Sequence, residues 1–231
     1  MPGEFDLTER LTKDLRPVRP VSLKRELVKW FVLAAVTGAG LLTWVGARPD
    51  LAVKLVAWPY LLALGLFTVA FFAASYAALR ASVPGRAAVS FKEASWITAG
   101  VAIALASYAG LLGTIGPAPT AVEDPVEALA CCLRITFGAA FPNVLLMAMM
   151  SRLGPIVWKG PMAIAVAAST LSVSIVSQLN CPYDDKFHVL VGHGLMVLVA
   201  AVASFFVYLM IARWASRTIY RLHRTRVTST L

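Results

Sequence analysis

Long apolar runs alternate with short polar connections along most of the chain, beginning near residue 30. A membrane-spanning helix needs about 20 mostly apolar residues to cross roughly 30 Å of hydrocarbon. Six stretches meet that requirement, so the pattern predicts an all-α fold, a polytopic membrane bundle of six transmembrane helices within residues 30–214. The predicted spans are Trp30–Ala47, Leu55–Leu79, Trp96–Gly116, Cys132–Leu153, Pro161–Leu179 and Gly194–Trp214.

The composition is that of a protein surrounded by lipid. Hydrophobic residues make up 59% of the chain and charged residues 14%, and the mean hydropathy is +0.75. Soluble domains are less apolar and more highly charged. Because the connections between the predicted spans are short, hydrophilic segments of any length remain only at residues 1–29 and in the basic tail, residues 215–231.

The positively charged residues are concentrated on one side of the predicted bundle. Of the 21 Lys and Arg residues, 17 lie in the N-terminal segment, the second and fourth connections and the tail; the other four are Arg48, Lys54, Arg134 and Lys186. Cytoplasmic loops are enriched in Lys and Arg, so both termini are expected in the cytoplasm. This topology also accounts for the net charge of +9, which leaves direct nucleic-acid binding without support.

The N-terminal segment, residues 1–29, contains a short amphipathic pattern. Asp6 can cap a helix with Glu9 as its reciprocal partner, and Pro17 would end that helix. Leucines four residues apart form a narrow apolar stripe on it: Leu7, Leu11 and Leu15. A helix this short is marginal alone in water. The stripe is therefore expected to contact either the membrane surface or a groove on a soluble protein.

The three cysteines all lie on the side opposite the termini. Cys131 and Cys132 are placed at the outer mouth of the fourth span, and Cys181 is in the next outer loop. Thiols in an oxidising compartment can pair, bind soft metals or become oxidised; alternatively, each is a small buried apolar residue. Metal ligation by Cys181 with Asp185 and His188 is a further option, against a purely structural hydrogen bond from the histidine.

The sequence contains no recognisable catalytic constellation, so an enzyme is not expected and no cofactor is implied. The enzymatic alternative is a membrane thiol oxidoreductase, which would need a Cys-x-x-Cys pair that the sequence lacks. The other alternative is a small metal transporter. Such a protein would carry acids, histidines or cysteines on facing spans, and none line up here.

The N-terminal segment, the spans and the outer cysteines together resemble the NrsF family of membrane anti-sigma factors. Four motifs carry the resemblance: Leu-Thr-Glu-Arg-Leu-Thr-Lys-Asp-Leu-Arg-Pro-Val (Leu7–Val18), Cys131 before the fourth span, Ser-Arg-Leu-Gly-Pro (Ser151–Pro155) and Cys-Pro-Tyr-Asp-Asp-Lys-Phe-His (Cys181–His188). Members of this family restrain extracytoplasmic-function sigma factors. The resemblance therefore implies a sigma factor of that class as the partner, kept away from core RNA polymerase.

The resemblance also implies roles for particular residues. It assigns the sensing of heavy-metal or oxidative stress to Cys131 and Cys181, with Cys132 as the alternative to its neighbour. It assigns sigma-factor binding to the N-terminal segment, and the residues that match there are Leu7, Leu11, Asp14, Leu15, Arg16 and Pro17. Stress at the cysteines is expected to shift the bundle between two packings and so weaken the grip on the sigma factor.

Overall fold

The computed structural model describes residues 22–83, 125–153 and 159–183, together with the single positions His188, Val202, Phe206 and Met210. The regular structure in these residues is α-helical. Its helices are α1 Leu23–Val45, α2 Leu51–Lys54, α3 Trp58–Ala81, α4 Pro125–Leu153 and α5 Lys159–Asn180. All but the short α2 are long and apolar enough to cross a membrane. The described part of the chain therefore confirms a helical membrane protein and matches four of the six predicted spans.

The other predicted elements fall outside the described residues. These are the third span (Trp96–Gly116), the leucine-striped segment before residue 22 and the basic tail. The sixth span (Gly194–Trp214) is described only at the three positions Val202, Phe206 and Met210, which are helical.

Helix α1 begins at Leu23, well before the predicted start at Trp30. The Oγ of Ser22 accepts a hydrogen bond from the backbone N–H of Arg25 at 3.4 Å and so caps the helix. Glu26 and Lys29 then pair across one turn on an exposed face. Capping and charge pairing, which an apolar run does not reveal, extend the helix beyond the N-terminal end of the apolar run. Residues 23–29, predicted as part of the hydrophilic segment, are therefore the first turns of α1.

Helix α4 begins at Pro125, seven residues before the predicted start of the fourth span at Cys132. Proline suits the first turn of a helix, because the first backbone N–H groups have no intrahelical partner there. Cys131 consequently lies inside α4 and not before it. The helix also continues through Pro142 to Leu153, as membrane helices do when neighbouring groups satisfy the released carbonyl.

The remaining two long helices lie close to their predicted spans. Helix α5 extends one or two residues beyond the predicted Pro161–Leu179 at each end. Helix α3 begins at Trp58 and not at Leu55, because α2 and the turn after it occupy the preceding residues. Pro59 stands at the second position of α3, where it costs no hydrogen bond.

Helix α5 lies in the middle of the described bundle and packs against α1, α3 and α4. Its buried hydroxyls are satisfied within the helix: Ser169, Thr170 and Ser174 each donate to the carbonyl four residues earlier at 2.8–2.9 Å. Between α1 and α3, the buried indole Nε1 of Trp30 donates to the Oγ of Ser75 at 2.8 Å. These polar side chains are thus paired inside an apolar core, which suits a lipid environment.

Two glycines let α1 and α4 approach α5 closely. A Cβ atom at Gly38 would come within 3.2 Å of a methyl group of Val176, and one at Gly138 within 3.0 Å of a methyl group of Val173. Both valines belong to α5. Small residues at such positions are the usual means by which membrane helices gain close contact, so α5 is held between α1 and α4 at short distance.

The end of α1, the start of α3, the start of α4 and the end of α5 meet at one end of the bundle. Asn180 at the end of α5 contacts the backbone after α1, Tyr60 near the start of α3 contacts Gln178, and Cys131 near the start of α4 contacts Cys181. We call this the junction end. The opposite end, which we call the basic end, carries Lys24, Arg25, Lys29, Arg80 and Arg152. Helix α3 therefore ends, and α4 begins, at opposite ends of the bundle.

Candidate functional site

Two cysteines and a histidine converge at the junction end. Cys131 lies in the second turn of α4, and Cys181 directly follows α5, where its backbone N–H donates to the carbonyl of Ser177 at 2.8 Å. The Sγ atoms of Cys131 and Cys181 are 3.5 Å apart, and the Sγ of Cys181 lies 3.2 Å from Nε2 of His188. Residues 50 and 7 positions apart in sequence are thus brought into contact.

These three side chains are almost completely buried, with relative exposures of 3%, 2% and 0% for Cys131, Cys181 and His188. The separation of the sulfurs exceeds the length of a disulfide bond, about 2.05 Å, so the two cysteines are not joined covalently. One donor atom from each residue lies within 4.8 Å of the other two. The cluster can therefore form a disulfide, accept a metal ion or hold its thiols in hydrogen bonds.

The structure relates differently to the other residues predicted for this site. Cys132 is in α4, but its side chain is outside the described part of the structure. Asp185, predicted as a ligand beside Cys181 and His188, also lies outside it. Tyr183, which the sequence did not single out, places its ring 5.1 Å from that of His188. The tyrosine and the histidine therefore lie side by side next to Cys181.

A buried arginine fixes the backbone on both sides of Cys181. Arg48, only 3% exposed, donates its backbone N–H to the carbonyl of Leu179 at 3.0 Å. Its Nη2 lies 3.4 Å from the carbonyl oxygen of Pro182. Its Nε and Nη2 donate to the two carboxylate oxygens of Asp50 at 2.6 and 2.9 Å, a bidentate arrangement that is both strong and directional.

Three further contacts complete this junction. The guanidinium carbon of Arg48 lies 5.8 Å from the ring centre of Tyr60, within the range of a cation–π interaction. The hydroxyl of Tyr60 donates to the carbonyl of Gln178 at 2.9 Å. The amide of Asn180 donates to the carbonyls of Val45 and Gly46 at 3.2 and 2.6 Å. The end of α1, the start of α3 and the residues around Cys181 are thus tied together; we call these contacts the Arg48 junction.

The Arg48 junction also affects the acidity of Asp50. The hydrogen bonds from Arg48 hold the pKa of the Asp50 carboxyl below its usual value, with the positive charges of Arg48 and Lys54 as further causes and partial burial opposing them. Since the pKa is lowered in the folded state, this pair contributes to stability above the unfolded pKa of about 3.9. That contribution is lost as the pH falls through the lower, folded value.

Sequence reasoning treated Arg48 only as one of four positive charges on the outer side. A carboxylate two residues after the arginine, in Arg48-Pro49-Asp50, was the available signal for an ion pair. Nothing in the sequence indicated that Tyr60 or Asn180 would join it, because their partners are backbone carbonyls more than a hundred residues away.

A comparison with protein families gives a match over most of the chain. A family model described as "Negative regulator of sigma F", NrsF, matches residues 11–214. The chain belongs to the NrsF family. As a family member it is an anti-sigma factor, and a sigma factor is its partner. This is a regulatory role. Comparison with curated proteins and with solved structures gave no significant match.

The part of the chain that matches NrsF includes the whole Cys131–Cys181–His188 cluster and the Arg48 junction. It also includes Leu11 and Leu15 of the predicted sigma-binding stripe, whereas Leu7 precedes it. The residues predicted to bind the sigma factor lie outside the described part of the structure.

We expect the Arg48 junction to control access to Cys181 in this NrsF protein. In a Cys131→Ser/Cys132→Ser background, Cys181 is the one remaining cysteine of the chain. Replacing Arg48 by Gln removes the bidentate ion pair and weakens the hold on Pro182, so an impermeant maleimide should label Cys181 at least about fivefold faster. Such an increase corresponds to roughly 1 kcal/mol of local opening.

The matched control is Lys54→Gln, which removes a nearby positive charge and leaves the contacts of Arg48 with Leu179 and Pro182 in place. Its labelling rate should stay within about twofold of the background protein. Labelling is followed by mass shift in reconstituted membranes. Equal rates for Arg48→Gln and the background protein would show that Arg48 does not restrain Cys181.

Proposed function

We propose that this protein is an inner-membrane anti-sigma factor that sequesters an extracytoplasmic-function sigma factor and releases it under heavy-metal or oxidative stress. Its N-terminal segment binds the sigma factor, and Cys131 and Cys181 sense the stress. The observation that carries the first part is the family match over residues 11–214. The second part is supported by the 3.5 Å approach of the two sulfurs.

Both termini are cytoplasmic in this proposal, and the cysteines face the periplasm. The basic end of the bundle carries several exposed cations, as cytoplasmic ends do. At the junction end, by contrast, the charge of Arg48 is buried against Asp50. In this topology the buried thiol cluster lies at the periplasmic end of the bundle, the side from which metal ions and oxidants arrive.

The sigma factor is held by a short helix in a groove. Leu7, Leu11 and Leu15 supply the apolar contacts, and Asp14 and Arg16 fix the orientation before Pro17 ends the helix. Helix-in-groove recognition uses anchors at this spacing. Because so short a helix is marginal alone, its ordering depends on the partner, and a modest change at its attachment to the membrane domain alters the affinity.

Helix α1 is the route from the sensing cluster to that segment. It continues without interruption from Leu23 to Val45, a length of about 34 Å at 1.5 Å per residue. At its outer end Asn180 and Arg48 connect it to the residues on either side of Cys181. At its inner end it leads directly into the sigma-binding segment. A displacement of Cys181 is therefore transmitted along a single rigid element.

The difference in binding free energy that this switch requires follows from the change in bound fraction. To move the sigma factor from about 99% bound to about 1% bound, the two states of the bundle must differ in affinity by roughly 10⁴, or about 5.5 kcal/mol. A metal–thiolate site or a disulfide can supply a free energy of that size. A rearrangement of apolar contacts alone would have to be extensive to do the same.

The sigma-binding role is tested by substituting the leucine stripe. Leu11→Asp places a charge on the apolar face and should weaken sigma-factor binding at least about tenfold, or 1.4 kcal/mol. In cells, target genes should become constitutively expressed, as they should after deletion of residues 1–20. The matched control Thr12→Asp adds the same charge off the stripe and should leave repression in place, with membrane levels compared by immunoblot. Continued repression after the deletion would refute docking through this segment.

The sensing role is tested by single substitutions of the cysteines. Cys131→Ser and Cys181→Ser should each keep repression in unstressed cells but reduce induction by cadmium or oxidant to background. Cys132→Ser, one residue along the same helix, should respond like the unaltered protein. A normal response in the Cys131→Ser/Cys181→Ser double variant would contradict cysteine sensing. A response lost in Cys132→Ser and retained in Cys131→Ser would contradict the assignment to Cys131.

A further inference from the structure

We propose that Cys131, Cys181 and His188 form a coordination site for one thiophilic divalent cation such as Cd²⁺ or Zn²⁺, with Nε2 of His188 as the third ligand. This inference rests on the proposed function in taking the cluster as the sensor, and deepens it by naming a directly bound metal ion as the stimulus. It is carried by the geometry of three donor atoms contributed by three separate stretches of chain.

Two of the three donor pairs have nearly the spacing of a tetrahedral site. Bonds of about 2.3 Å to sulfur and 2.0 Å to nitrogen place the ligands of Zn²⁺ about 3.8 Å apart for two sulfurs and about 3.5 Å for sulfur and nitrogen. The observed distances are 3.5 Å between the sulfurs and 3.2 Å from Cys181 Sγ to His188 Nε2. These two pairs therefore need to separate by only a few tenths of an ångström to bind Zn²⁺, and the donors of Cys131 and His188 lie within 4.8 Å of each other.

The chemistry of the donors selects the class of cation. Thiolate and imidazole are soft or borderline ligands that favour Zn²⁺ and Cd²⁺ over Mg²⁺ and Ca²⁺. The three-residue group found among the described residues contains no carboxylate. Two thiolates and a neutral imidazole also balance a divalent charge, so the occupied site is neutral. That matters because all three residues are buried, and a net charge there would be costly.

Binding is a proton exchange and involves no electron transfer. Each thiol gives up its proton to solvent as its sulfur bonds to the metal, so about two protons are released per cation and no oxidant is consumed. Apparent affinity must consequently rise with pH. Disulfide formation between the same sulfurs would instead remove two electrons together with two protons, and would need an acceptor.

His188 adds to the site a third stretch of chain, which the two thiols do not include. Cys131 belongs to α4 and Cys181 to the end of α5, while His188 belongs to the chain beyond it. A cation bound to all three would therefore lock these elements together next to the Arg48 junction. Movement of Cys181 toward the metal would act on the contacts of Arg48 with Leu179 and Pro182, through which the end of α1 is attached.

The test is a Cd²⁺ titration of the full-length, reduced protein in lipid nanodiscs. Thiolate-to-metal charge-transfer absorption and equilibrium dialysis report binding, and a pH indicator reports proton release. The unaltered protein should bind one Cd²⁺ per chain and release about two protons. Cys131→Ser and Cys181→Ser should abolish the absorption band. His188→Asn should keep a thiolate band but weaken binding at least tenfold, and Cys132→Ser should bind as the unaltered protein does.

Absence of cadmium binding by the unaltered protein would overturn the proposal, as would equal affinity in His188→Asn, which would restrict the site to the two thiols. Circular dichroism and size-exclusion elution identify any variant that fails to fold, and the His188→Gln variant then replaces it. The proposed function fails separately, through the sigma-binding and induction assays. Loss of induction in Cys131→Ser without cadmium binding by the purified protein would leave a sensor of oxidation and exclude this metal site.

Discussion

The geometry of the junction end depends on the pairing of the buried guanidinium of Arg48. A charge in a low-dielectric setting must be fully paired, and Arg48 meets this requirement through Asp50, the carbonyl of Pro182 and the ring of Tyr60. The pairing of this one side chain therefore holds the end of α1, the start of α3 and the residues after α5 in a single arrangement. Cys181 lies between two backbone carbonyls that Arg48 contacts, that of Leu179 through its backbone N–H and that of Pro182 through its guanidinium, so Arg48 restrains the backbone that carries the thiol.

The burial of the thiol cluster inside the bundle is important for the proposed switch. All three residues are almost completely buried, and thiols pack like small apolar residues. Ionised without a cation they would be strongly unfavourable there. In the proposed mechanism, a single divalent ion drives the cluster from one state to another, and the free energy of ligation acts where the end of α1 is anchored. Such a coupling would let a negative regulator of a sigma factor respond to the bound ion.

The sequence predicted part of this arrangement and could not predict the rest. Apolar runs located four described helices because the bilayer imposes length and composition on each span. The starts at Leu23 and Pro125 were missed because capping by Ser22 and a favourable first-turn proline set them, not apolarity. Topology placed the cysteines on one side, but the 3.5 Å contact arises from helix packing that no spacing encodes. The role of Arg48 was hidden for the same reason, since its main partners beyond Asp50 are distant backbone groups.

In the proposed mechanism, metal binding at the Cys131–Cys181–His188 cluster changes the affinity of the N-terminal segment for the sigma factor. The direct measurement is the dissociation constant of the cognate sigma factor for the full-length protein in nanodiscs, with and without saturating Cd²⁺. We predict a decrease in affinity of about 10⁴-fold, or roughly 5.5 kcal/mol, in the unaltered protein and no change in Cys181→Ser. Equal affinity in both conditions, with Cd²⁺ shown to be bound, would contradict the account.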